Sequence, residues 1–106
     1  MDDETLARLN ARLAEHMAYV TADREGSASQ ALWDCEDGWI VGYTTERITG
    51  GPHDGKFATL AYKPDKSKTT WERVYLRAFS KRKLAKERAI TMFAQHSPRW
   101  AKRHGR

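Results

Sequence analysis

The spacing of apolar residues changes twice along this chain, and those changes fix the kind of fold it can adopt. Leu6, Leu9, Leu13, Met17 and Val20 recur at three- and four-residue steps, the period of one helix face, and Asp2 or Asp3 is placed to cap a helix over 3–19. From Ala31 the period is two. An aspartate-glycine turn at 37–38 separates one alternating run, 31–35, from another, 39–48, which reads as a hairpin. A loop at 49–56 with three glycines and a proline leads to a third run, 57–63, and the polar stretch 64–70 to a fourth, Trp71–Phe79. The helical period returns at 79–93, where Leu84, Ala85, Ala89, Met92 and Phe93 form a stripe and Ser80 is the expected cap.

The order α-β-β-β-β-α predicts an α+β fold: an antiparallel sheet of three to four strands, with the N- and C-terminal helices packed on one face. Residues 21–30, polar and small, read as a linker. One domain over 1–98 and a basic tail at 99–106 use up the 106 residues. Pro98 immediately precedes the tail and Trp100 lies within it, and the tail reads as either a short extra helix or a mobile basic arm.

Alternation in the last strand sets Val74, Leu76 and Ala78 on one face and Arg73, Tyr75 and Arg77 on the other. The first set is expected to meet the helices. The second set, joined by Trp39, Tyr43 and Arg47, would then form an open face of arginines and aromatics, suited either to stacking bases or to pairing across strands.

Charge is divided between the halves. Residues 1–62 carry five basic and eleven acidic side chains, a net of −6, while residues 63–106 carry fourteen basic and three acidic, a net of +11. A surface of that sign attracts polyanions, of which nucleic acid is the commonest inside cells. Lys81, Arg82, Lys83, Lys86 and Arg88 crowd the first two turns of the last helix, the end of a helix dipole that disfavours cations. A phosphate set against the exposed N–H groups there would resolve the conflict. Arg99, Lys102 and Arg103 of the tail could touch phosphate as well.

The loop and the last helix together resemble the double-stranded RNA-binding domain over residues 43–93. That family pairs a Gly-Pro-Pro-His-x-x-x-Phe loop with a Ser-Lys-Lys-x-Ala-Lys-x-x-Ala start to its final helix. Here the loop reads Gly50-Gly51-Pro52-His53-Asp54-Gly55-Lys56-Phe57, with one glycine for a proline, and the helix start runs from Lys81 to Ala89. The resemblance implies that His53, with Lys56 beside it, enters a minor groove while Arg82, Lys83 and Lys86 bridge phosphates across the adjoining major groove, reading A-form shape. The layout is also similar to the arm-type DNA-binding domain of tyrosine integrases. In that family the sheet enters the major groove, which implies Arg73, Tyr75 and Arg77 as readers.

Other chemistry lacks the residues it needs. His16, His53, His96, His104 and the single Cys35 show no metal-ligand spacing, and no P-loop, Gly-x-Ser-x-Gly or Gly-x-Gly-x-x-Gly occurs, so neither a metal, a cofactor nor a small-molecule substrate is expected. Cys35 lies among Asp34, Glu36 and Asp37, which raise a thiol pKa and predict an inert side chain. Apolar runs are too short to span a membrane, and an N-terminus as acidic as MDDETLARL is unlike a signal peptide; a cytoplasmic location is the expectation. The reading is a small non-enzymatic protein that binds double-stranded RNA or DNA by its backbone. Its alternative is a small phage or bacterial accessory protein that docks on an acidic protein partner or assembles with itself.

Overall fold

The computed structural model describes residues 26–67 and 70–106; the helix expected over 3–19 lies outside them. Four strands, β1 (Gln30–Asp34), β2 (Ile40–Thr44), β3 (Phe57–Pro64) and β4 (Trp71–Phe79), form an antiparallel sheet in the order β1-β2-β3-β4. Two helices follow, α1 (Arg82–Gln95) and α2 (Pro98–Arg103). The α+β class holds for the described residues, and the sheet has four strands.

The turn at 37–38 forms where expected, because Gly38 supplies a φ of +90° and Asp37 Oδ1 accepts the Trp39 N–H at 3.1 Å. β2 stops at Thr44, short of Ile48. Beyond it the backbone pairs elsewhere: the Thr45 N–H donates to the Ser29 carbonyl, the Glu46 carboxylate accepts the Ser29 N–H, and Ser27 and Thr49 exchange both their bonds. The end of the expected linker is thereby stitched to the chain that leaves β2.

α1 lies across β2, β3 and β4 and meets the sheet through Ala85, Ala89 and Met92. Small residues on the helix let large ones on the sheet fill the space, and Trp33, Tyr43, Tyr75 and Phe79 pack there with Val41 and Ala61. The Thr59 hydroxyl donates to the Ala85 carbonyl at 2.7 Å and fastens the two together.

This reverses the expected faces. Tyr75, Trp39 and Tyr43 belong to the covered side, while Leu76 lies on the opposite side with Leu32, Ile40, Leu60 and Tyr62. Alternation says which residues share a face but not which face a helix covers. Alternation also fails at one point, since the register passes from Ala61–Tyr75 to Tyr62–Arg73, leaving Val74 as a bulge that is 47% exposed. Leu84 departs from the expected stripe too, at 43% exposed.

α2 is held by the β1–β2 turn. The Glu36 carboxylate accepts the N–H groups of Arg99 and Trp100 at 3.2 and 2.9 Å, serving as a cap supplied from another element. Buried Ser97 accepts the Glu36 N–H, His96 Nδ1 lies 2.6 Å from Asp37 Oδ2, and the His96 ring stacks on Trp39 with centroids 4.2 Å apart. Of the two readings of the tail, the short helix is therefore the one the structure has. Between these groups Cys35 is buried, and its thiol is pushed up to about 12, first by burial, against a lowering hydrogen bond with Ser97, and further by Asp37, Asp34 and Glu36.

Candidate nucleic-acid interface

Register decides what gathers at each end of the sheet. Phe57 pairs with Phe79, so the loop that precedes one and the residues Ser80 and Lys81 that follow the other emerge at the same end. The loop is held by its own bonds: the Gly50 N–H donates to Asp54 Oδ1 at 2.7 Å, the Lys56 N–H to the His53 carbonyl at 3.0 Å, and Arg47 Nη1 to the Gly55 carbonyl at 2.6 Å. Positive φ at Gly50, Gly51 and Gly55 makes that tight path possible. His53 is half-buried and Lys56 exposed.

Lys81, Arg82, Lys83 and Lys86 are all exposed, and no carboxylate of the described residues pairs with any of them. Ser80 does not cap α1. The N-cap position is Lys81, in extended conformation, with no side-chain hydrogen bond to the first turn and no acidic residue within it. Phe79 is held in β4, so the chain spends Ser80 and Lys81 in leaving the sheet, and the serine falls one residue short of the capping position. The first-turn N–H groups thus have neither a side-chain acceptor nor a countercharge from α1 itself.

Three arginines lie over rings of the sheet. The Arg47 guanidinium sits 5.0 Å from the Phe57 centroid, that of Arg77 5.1 Å from Phe79, and that of Arg88 5.7 Å from Tyr75, whose hydroxyl accepts the Arg88 Nε–H at 3.3 Å. Tyr75 is accordingly a support for Arg88 and part of the core, not an exposed stacking platform. Arg47, expected on an open face of the sheet, instead follows the end of β2 and is held at the loop by the Gly55 carbonyl and the Phe57 ring.

The remaining expected residues lie elsewhere. Arg73 pairs with Tyr62 in register, on the face that α1 does not cover. Arg99, Lys102 and Arg103 belong to α2, at the far end of α1 from Lys81. No protein-family model, curated protein or solved structure matches the chain. Among the described residues no group of three His, Cys, Asp or Glu could hold a metal ion, and no helix is long and apolar enough to cross a membrane. The acidic turn is engaged within the fold, with Glu36 on the backbone of α2 and Asp37 on His96.

Proposed function

We propose that this protein binds double-stranded nucleic acid through the backbone, without chemistry of its own. The observation that carries the reading is a cluster of four exposed cations, Lys81, Arg82, Lys83 and Lys86, unpaired by any described carboxylate and set around a helix N-terminus that lacks a cap. A phosphate there accepts N–H bonds and meets charge at once. The loop with His53 and Lys56, at the same end of the sheet, supplies a second contact, and Arg77 and Arg88 on their rings add oriented guanidinium groups. The resemblance to the double-stranded RNA-binding domain fits this placement and favours the shape of a duplex over its sequence.

Binding to RNA and DNA duplexes of about 20 base pairs, longer than the roughly 16 of a two-groove footprint, tests the reading. Affinity for at least one duplex is expected to fall steeply with salt, each phosphate contact adding about 0.9 to the logarithmic slope on DNA. Arg82→Ala with Lys86→Ala should flatten that slope by about two contacts' worth. Failure to bind either duplex at low salt removes the proposal, and an unchanged slope in the double variant removes the helix as its seat. The competing reading, an accessory protein on an acidic partner, predicts capture of a protein that survives nuclease treatment.

A further inference from the structure

A chain of rings runs from the covered face of the sheet out to α2. Trp33 meets Tyr43 at 5.7 Å and Phe93 edge-on at 5.8 Å, Phe93 meets Trp100 edge-on at 4.9 Å, and His104 lies flat on Trp100 at 4.3 Å. Beside it Trp33, Ile90, Phe93, Trp100, His104 and Arg106 enclose an open hollow of about 490 Å³. Trp33, Phe93, Trp100 and His104 thus belong both to the chain of ring contacts and to the wall of the hollow.

We propose that this hollow receives an unpaired base of the bound nucleic acid, with Arg106 on its phosphate; the inference rests on the nucleic-acid reading above. Pockets of this size, walled by rings and provided with few polar groups, suit planar aromatic ligands. Stacking on aromatic side chains accepts any base, because every base has a π-face. His104 adds direction: its Nδ1 lies 2.8 Å from the Trp100 carbonyl, which can only accept, so Nδ1 carries a proton and Nε2 of the neutral ring is an acceptor toward a base amino group.

Charge settles how such a ligand enters. On the other flank of Phe93 and Trp100 lies a second hollow lined by Asp34, Glu36 and Asp37 together with Arg99 and Arg103, and its carboxylates repel phosphate. The Arg106 side has no acidic residue in its lining. Distance fits as well. The fourteen residues of α1 span about 21 Å at 1.5 Å per residue, close to six base-pair rises of 3.4 Å. A duplex gripped at the head of α1 and ending or opening about six pairs away would deliver an unpaired nucleotide to α2.

The test compares blunt duplexes with the same duplexes carrying a single-stranded tail of about three nucleotides, using the full chain. Tails should raise affinity between about fivefold and about 150-fold, the range for one stacked base. Trp100→Ala should abolish that preference, and His104→Ala and Arg106→Ala, both at exposed positions, should reduce it without altering blunt-duplex affinity. Equal affinity of the unmodified protein for blunt and tailed duplexes overturns the inference and leaves the proposed function standing. Binding to neither overturns the proposed function, and adenosine monophosphate then probes the hollow directly. At about 1 mM it should quench tryptophan emission, less so in Arg106→Ala, and no quenching overturns the inference as well.

Discussion

Cys35 shows how much one position depends on its neighbours. Its thiol, 5% exposed, titrates near 12 instead of the ordinary 9.0, with burial the largest cause. A group whose folded pKa lies above its unfolded value contributes stability that is present below the unfolded pKa and lost as pH rises through the folded one. Between about pH 9 and 12 the unfolded chain gives up this proton while the folded chain keeps it. The urea midpoint of the native protein should therefore fall more between about pH 8 and pH 10.5 than that of Cys35→Ala, which lacks the titrating group. A disulfide-exchange reagent at about pH 8 should label Cys35 only at the rate of unfolding; immediate labelling of folded protein contradicts the burial. The raised pKa of this thiol was legible in the acids beside it, although the chief cause, burial in the core that Ala85, Ala89 and Met92 of α1 complete, was not. Val74 is the reverse case. Its place in an alternating run pointed inward, but the bulge that expels it arises from pairing with β3 and leaves no trace in local pattern.

At the scale of elements, α1 carries a conflict between stability and use. Cations at 81–83 face the positive end of its dipole, and nothing within the helix's first turn offsets them. Replacing Lys83 by Glu should raise stability by about 0.3–1 kcal/mol, read as a higher urea midpoint, while duplex affinity falls. An unchanged or lower midpoint would mean the charge already has a countercharge. Ser80→Ala provides a control: loss of a true cap costs about 1 kcal/mol, whereas this serine makes no capping bond and its loss should be nearly silent. β4 was legible to the residue because polar chain brackets it on one side and a helix start on the other. β2 was read too long, since the residues after Thr44 continue the pattern while the backbone of Thr45 bonds to Ser29 and that of Ile48 to Gly55 and Lys56. The covered face was misread because α1 contacts the sheet with alanines, which advertise little apolar surface and demand bulky partners.

Across the whole molecule, the division of charge invites head-to-tail assembly as much as it invites a polyanion. The described acids weigh against assembly, because most are already committed within the fold. Glu36 holds the N–H groups of α2, Asp37 holds His96 and the Trp39 N–H, Asp54 the Gly50 N–H, and Glu46 the Ser29 N–H. To dock on the cations of another copy, each would have to share or surrender a bond that fixes a turn or a helix end. A polyphosphate carries no such cost, and the cations at the head of α1 have no described carboxylate to leave. Nuclease-treated protein should accordingly elute at one volume from size exclusion at about 0.01 M and about 1 M salt, although the Debye length falls from about 30 Å to about 3 Å between them. Larger species at low salt that disperse at high salt, and that Arg82→Ala with Lys86→Ala prevents, would show the two poles meeting each other. The seat assigned to phosphate would then belong to a second copy of the chain.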